Sequence, residues 1–167
     1  MPTNQQLVKR ARDHGILIPW RALWASRKVG VPYWVTCAFL MQESGGGENV
    51  FGHDPTIFIG AGEVTKDKYL RYKHERDIRA PHSHQMQGVG PMQLTWYSYQ
   101  DRADALGGCW KPYYNVLAAL EHLRDLHKAH GDWVDAARAY NGSGAAADHY
   151  ARQMKMRFAS WQGWLGV

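Results

Sequence analysis

One carboxylate draws attention by its position: Glu43 ends the apolar segment PYWVTCAFLMQE, and a serine and three glycines, residues 44 to 47, follow it. Burial and the negative end of a helix dipole both disfavour an ionised carboxyl group, so its pKa should rise. A carboxyl group that keeps its proton near neutral pH can act as a general acid, and the glycines would leave room for a large substrate. The pattern also fits a solvated glutamate before an ordinary glycine C-cap, and one carboxylate does not decide between the two.

Two further segments combine glycines with polar and aromatic side chains. Residues 88–95 read GVGPMQLT and run into the aromatic cluster WYSY, and residues 139–144 read AYNGSG at the end of a predicted helix. Glycine and proline at this density are typical of turns. Each segment alone therefore indicates only a change of chain direction.

The elements that must position these residues are predicted to be mostly helical. Thr3 and Gln6 form a capping box for a first helix, and Pro19 can start a second. Pro32 suits the first position of a third helix, which is apolar on nearly all sides, as a central core helix would be. Further helices are predicted for residues 95–106, 113–130, 133–140 and 145–162, with a charged amphipathic segment over 65–77 and a loop or short hairpin over 79–95.

The fold class predicted from these elements is mainly α, with at most a small β-hairpin, in one domain spanning residues 1–167. The chain is long enough to bury its own core, and it contains no internal repeat or linker. Cys37 and Cys109 are too far apart for a metal knuckle; Cys37 is expected to be a buried thiol, and a disulfide between the two is not indicated.

Taken together and in order, three short segments resemble the signature of the soluble lytic transglycosylase and goose-type lysozyme superfamily. The family pattern is a Glu-Ser pair closing a buried helix, then Gly-x-Met-Gln, then Ala-Tyr-Asn-x-Gly before a last helix; here these are residues 43–44, 90–93 and 139–144. The amino-acid sequences of these segments look most like those of catalytic modules of endolysins and tail-associated lysins from phages of actinobacteria. The resemblance implies a lysozyme-like (α+β) fold with any hairpin near the cleft.

The resemblance also implies an activity: cleavage of the β-1,4 bond between N-acetylmuramic acid and N-acetylglucosamine in peptidoglycan. Glu43 would protonate the glycosidic oxygen, and Ser44 would hydrogen-bond near it or to the substrate. Gly90 would allow close backbone approach, while Met92 and Gln93 would line the sugar cleft.

The third segment would complete the cleft. Tyr140 and Asn141 would lie across from Glu43, the phenol helping to orient the carboxyl group or the sugar. Trp96 and Trp110 flank the second segment and are candidates for stacking on sugar faces. The chain departs from the family at Pro91, where many members have a larger apolar residue, and in the long insert before residue 88, which leaves the shape of the cleft open.

Two mechanisms remain open. In lytic transglycosylases one carboxyl group protonates the leaving oxygen and then deprotonates the muramic C6 hydroxyl, which closes a 1,6-anhydro ring. A lysozyme needs a second carboxylate, and Asp54 is the candidate, although an aspartate before Pro55 equally fits a turn. The other acidic side chains considered are expected to be solvated: Glu48, Glu63 and Glu75.

Nine histidines, with HSH at residues 82–84, raise the question of zinc, but the other nearby histidines lack matched spacing. We therefore expect no metal and no cofactor. The formal net charge of +5 favours polyanions in general, without a run of like charges that would indicate nucleic acid. The competing classes are a non-catalytic wall-binding module and a basic helical DNA-binding protein.

No signal peptide or membrane span is apparent in the sequence. The expectation is a protein made in the host cytoplasm that acts on the bacterial cell wall after holin-dependent release or as a virion component. Its partners would be peptidoglycan glycan strands, with no nucleic acid and no membrane insertion. It would be a monomer or a module of a larger phage protein.

Overall fold

Helices dominate the chain in the computed structural model, which describes residues 1–53, 59–79 and 85–167. Eight helices and one two-stranded antiparallel hairpin lie within these residues, which confirms a mainly α fold with a small hairpin. The helices are α1 (Asn4–Asp13), α2 (Pro19–Val29), α3 (Tyr33–Ser44), α4 (Lys66–Arg79), α5 (Tyr97–Leu106), α6 (Pro112–His130), α7 (Trp133–Asn141) and α8 (Gly144–Leu165). The strands are β1 (Gln85–Val89) and β2 (Leu94–Trp96).

The helix starts follow from local sequence. The predicted capping box is confirmed, because the Gln6 amide donates to Thr3 Oγ1 at 3.3 Å and the Thr3 amide donates to Gln6 Oε1 at 2.8 Å. Pro19 is the first residue of α2, as predicted. Pro32 differs: it precedes α3 with an extended ψ of 138°, so the helix begins one residue later, at Tyr33.

Helix α3 is the predicted central helix. It packs against α2 and α8, and its residues from Val35 to Leu40 are fully buried. Its fully buried Thr36 hydroxyl forms a 2.7 Å hydrogen bond with Ser26 of α2, so this polar group is satisfied inside the core. A helix apolar on all sides ends here with its last two residues, Glu43 and Ser44, reaching the protein surface.

The hairpin joins the segment after α3 to the rest of the molecule. Val89 of β1 lies opposite Leu94 of β2, and Phe51 forms an isolated bridge with Val89. Two buried glutamines hold this region: Gln87 donates to the Gly52 carbonyl at 2.7 Å, and Gln100 of α5 donates to the Leu94 carbonyl at 2.7 Å. Amide side chains therefore replace ladder hydrogen bonds that such short strands cannot supply.

Both cysteines are buried and unpaired. Burial raises the pKa of the Cys109 thiol to about 12, so this side chain is a packing residue and not a reactive nucleophile. Within the described ranges, no helix is both long and apolar enough to cross a membrane.

Candidate active site

Glu43 opens onto a cleft of about 220 Å³. The cleft lies between the end of α3, the hairpin with the start of α5, the middle of α6 and the end of α7. All three sequence segments singled out above therefore contribute to one site. The described residues that line it are Glu43, Gln93, Leu94, Thr95, Trp96, Tyr99, His122, Tyr140 and Asn141.

The Glu43 carboxyl group is partly buried and has one close partner. The Tyr150 hydroxyl, on α8, donates a short hydrogen bond to Glu43 Oε1. Desolvation raises the pKa of Glu43 from 4.5 to about 7, and the Tyr150 hydrogen bond opposes that rise by favouring the carboxylate. The predicted pKa increase is thus present, with burial as its main cause.

The hydrogen bond also distinguishes the two carboxyl oxygens. Because Oε1 accepts from Tyr150, the proton of the neutral acid resides on Oε2. Burial and then the nearby Glu43 charge raise the pKa of Tyr150 well above its usual value, so the phenol remains a neutral donor. This arrangement leaves Oε2 as the atom that can give a proton to a ligand in the cleft.

Tyr140 lies in the cleft, but its hydroxyl does not bind Glu43. It donates to the Met92 carbonyl at 2.9 Å, and its ring packs edge-on against Phe39 of α3 at 5.2 Å. The expected contact between this phenol and the Glu43 carboxyl group is therefore wrong, because the phenol that contacts the carboxyl group is that of Tyr150. Tyr140 instead fastens the end of α7 to the loop that joins the two strands.

Three predicted substrate contacts prove to hold that loop in place. Ser44 donates to the Pro91 carbonyl at 2.6 Å, which ties the end of α3 to the loop and directs the hydroxyl proton away from the cleft. The Met92 side chain is fully buried and cannot line a sugar site. Gly90 is buried too; it has a positive φ of 76°, and a Cβ there would lie 2.5 Å from the Asn115 amide.

Asn115 of α6 explains the need for that glycine. Its side chain is fully buried, accepts from the Met92 amide at 3.0 Å and donates to the Val89 carbonyl at 2.9 Å. Gly90 makes room for this amide and not for a sugar. The Gly-x-Met-Gln segment is therefore a loop whose backbone is held in place by hydrogen bonds to the side chain of one asparagine.

Gln93 does line the cleft, as predicted, although its amide is also committed to the loop. It has a positive φ of 47°, and Nε2 donates to the carbonyls of Val50 and Gly90 at 3.0 Å each. Its Oε1 packs so closely that a Cβ at Gly52 or Gly88 would lie 2.3 or 2.5 Å from it. Glycines at these two positions are needed to seat the glutamine.

Two of the three glycines after Ser44, Gly46 and Gly47, do not open the cleft, contrary to the expectation. A Cβ at Gly46 would lie 2.1 Å from the Gly15 carbonyl oxygen, and one at Gly47 would lie 2.7 Å from the Ile18 side chain. Both glycines are buried and have positive φ angles of 110° and 111°. They let the chain leave α3 in tight contact with the connection between α1 and α2.

The cleft residues that were not predicted from the sequence are Leu94, Thr95, Tyr99 and His122. The last two have aromatic rings in contact with each other. Their rings stack with centroids 4.2 Å apart, and desolvation lowers the pKa of His122, which keeps the imidazole neutral at pH 7. Asn141 and Trp96 are exposed at the rim, in agreement with their predicted positions, whereas Trp110 lies under Lys66 and Lys111 outside the cleft.

One feature of the sequence indicates that Tyr150 is buried. This residue starts a stripe of aromatic and apolar residues on α8 that continues through Met154, Phe158 and Trp161 at helical spacing, all buried. A phenol at the end of such a stripe needs a hydrogen-bond partner inside the protein. The pattern indicates burial, but it does not identify Glu43 as the partner.

The candidate second carboxylate, Asp54, and the HSH triplet at residues 82–84 lie outside the described residues. The other acidic candidates, Glu48, Glu63 and Glu75, are exposed, as expected. In the described part of the chain, no group of three or more His, Cys, Asp or Glu side chains could hold a metal ion.

Comparison with known proteins found no relative whose site could be compared with this one. A scan against models of protein families, a search of curated proteins and a search of solved structures each found no match.

Proposed function

We propose that the protein cleaves the β-1,4 bond between N-acetylmuramic acid and N-acetylglucosamine in peptidoglycan, with Glu43 as the general acid. The observation that carries the proposal is a carboxyl group with a pKa of about 7, hydrogen-bonded through one oxygen, on a residue that lines a cleft. A pKa near the working pH is what general acid catalysis requires. The order of the three segments in the sequence, which resembles the lytic transglycosylase signature, supplies the substrate class.

In the first step, Glu43 Oε2 gives its proton to the glycosidic oxygen as the bond from that oxygen to muramic C1 breaks. The departing sugar leaves as a neutral alcohol, and positive charge develops at C1. The Glu43 carboxylate formed at this moment stays hydrogen-bonded to Tyr150. The phenol thus limits the cost of an ion in a desolvated position.

In the second step, the same carboxylate takes the proton of the muramic C6 hydroxyl while that oxygen bonds to C1. The product is a 1,6-anhydro sugar, and Glu43 regains its proton for the next cycle. Two features support this single-carboxylate route: a pKa near 7 lets one group serve as acid and then as base, and Glu43 is the only carboxylate among the described residues lining the cleft.

The alternative is hydrolysis by a second carboxylate that activates water or acts as nucleophile, for which Asp54 is the candidate. The two routes give different products from the same bond. A non-catalytic wall-binding module is a further alternative, but such a module needs no desolvated carboxyl group, whose burial costs stability.

The test is digestion of purified peptidoglycan followed by mass spectrometry of the fragments. Transglycosylation gives muropeptides one water lighter than the reducing products of hydrolysis, and hydrolysis gives the reducing products themselves. Glu43→Gln should abolish both, because an amide keeps the shape but cannot give up the proton. Glu48→Gln is the matched control on an exposed side chain four residues after the end of α3 and should retain activity.

Wild-type protein that yields no fragments would remove the enzymatic proposal, and a Glu43→Gln variant with full turnover would remove the assignment of the acid. The setting that fits best is a phage lysin whose partner is the glycan strand, made in the host cytoplasm and acting on the wall after release or as part of the virion. The net charge of +5 would favour contact with an acidic wall.

A further inference from the structure

A second cavity, of about 410 Å³, lies against one face of α8 beside the end of α3. Its size falls in the range of small-molecule sites, roughly 300–1,000 Å³. None of the residues lining it belongs to the cleft around Glu43. The lining residues are His14, Met41, Gln153, Met156, Arg157, Ser160, Trp161 and Trp164.

Arg157 supplies a positioned cation at this cavity. Its Nε donates to Gln42 Oε1 at 2.6 Å, and Gln42 Nε2 donates in turn to Gln153 Oε1 at 3.1 Å. These bonds hold one edge of the guanidinium, while no described residue accepts from its two terminal nitrogens. The described lining also contains no aspartate or glutamate. The terminal nitrogens of an arginine held in this way match the two oxygens of a carboxylate.

The rest of the lining forms a wall that is largely apolar and aromatic. Trp161 is fully buried, and Trp164, 45% exposed, stacks on His14 with ring centroids 4.4 Å apart. Met41 and Met156 complete this wall, and thioether side chains adapt to ligands of irregular shape. A ligand complementary to this lining carries a carboxylate on a small apolar body.

Two further lining residues, Gln153 and Ser160, offer a donor and an acceptor of hydrogen bonds within one turn of Arg157 on α8. Gln153 uses its oxygen to accept from Gln42, so its amide nitrogen is left to donate. Ser160 gives its proton to the Met156 carbonyl at 3.2 Å, so its oxygen is left to accept. A peptide group offers the complementary pair, a carbonyl oxygen and an N–H, whereas a fatty acid offers neither.

We propose that this cavity binds the free carboxyl end of a short peptide with small apolar side chains. The terminal carboxylate pairs with Arg157, the last peptide group lies between Gln153 and Ser160, and the side chains contact the tryptophan wall. The inference does not depend on the activity assigned to Glu43, although Gln42 directly precedes that residue and places the cavity beside the candidate acid.

The test is a titration of the whole protein with N-acetyl-alanyl-alanine, followed by tryptophan fluorescence and calorimetry. Two matched probes are its C-terminal amide, which lacks the charge, and hexanoate, which keeps the charge and an apolar body but has no peptide group. We expect saturable binding of the acid, and binding at least about tenfold weaker for each of the other two, the loss expected for one charge-assisted hydrogen-bonded contact.

Arg157→Met keeps the apolar stem and removes the guanidinium, and it should weaken binding of the acid by about tenfold or more. Arg152→Met removes the same charge from an exposed position on the same helix and should leave binding unchanged. Equal affinity of the acid and its amide for wild-type protein would overturn the proposal, whether or not the Arg157 variant folds. Equal binding of hexanoate would overturn the peptide assignment.

Discussion

Replacing Glu43 by glutamine should stabilise the folded protein at pH 8 and leave its stability near pH 4.5 almost unchanged. In the folded state the pKa of Glu43 is raised from 4.5 to about 7 by desolvation. A group whose pKa is raised by folding contributes stability that is fully present below its unfolded pKa and is lost as the pH rises through the folded value. At pH 8 the wild-type chain therefore carries an ionised carboxyl group that the unfolded chain would hold in water at less cost.

The size of the effect follows from the two pKa values. A difference between 4.5 and about 7 corresponds to about 3 kcal/mol of unfolding free energy, most of it already lost at pH 8. Because the carboxyl group is partly exposed to the cleft, solvent screening reduces the expected gain to about 2 kcal/mol. For a chain of this length that gain raises the melting temperature by roughly 4–8 °C.

The assay is urea unfolding of wild type and variant at both pH values, with calorimetry for the melting temperatures. All other titrating groups are shared, so the difference between the two proteins isolates Glu43. Glu48→Gln is the control, because its exposed side chain should give no stabilisation at either pH. If Glu43→Gln were no more stable than wild type at pH 8, the carboxyl group would be hydrated in the folded state, and the case for a neutral acid at pH 7 would fail.

Three other perturbations have defined outcomes. Tyr150→Phe removes the donor that stabilises the Glu43 carboxylate, so the pKa of the acid should rise and the alkaline limb of the pH–rate profile should move up by about one pH unit, measured on peptidoglycan. Asn115→Leu leaves the Met92 amide without its partner, removes a donor to the Val89 carbonyl, and should cost about 3 kcal/mol in urea unfolding. Trp96→Ala removes an exposed ring at the cleft rim and should raise KM several-fold with little change in kcat, measured with soluble glycan fragments.

The elements of the fold could largely be predicted because their signals are local. The capping box at Thr3 and the proline that starts α2 act on neighbouring residues only, and both work as predicted. The uniformly apolar third helix likewise indicated the centre of the core. The hairpin was harder to predict, because side-chain amides such as Gln87 hold it, and their partners lie far away in the chain.

The candidate site could be predicted in its location but not in its contacts. Glu43, Gln93, Trp96, Tyr140 and Asn141 all line the cleft, since the three segments converge there. Sequence alone does not tell whether a polar residue in such a segment faces a ligand or fastens the backbone. That distinction depends on tertiary packing, which also brings a tyrosine from α8 to the carboxyl group.

The residues that hold the loop of residues 90–93 in place also bear on the proposed role of Glu43. Ser44 and Tyr140 bind the carbonyls of Pro91 and Met92, so one loop is tied both to the end of α3 and to the end of α7. Gln93 of that loop lines the same cleft as Glu43, and desolvation is what raises the pKa of the carboxyl group. A substitution that loosens the loop would therefore let water in and lower the pKa of Glu43 without touching the acid itself. Loss of activity at these positions should accordingly appear first at neutral pH and be smallest under acidic conditions, where the carboxyl group keeps its proton in any environment.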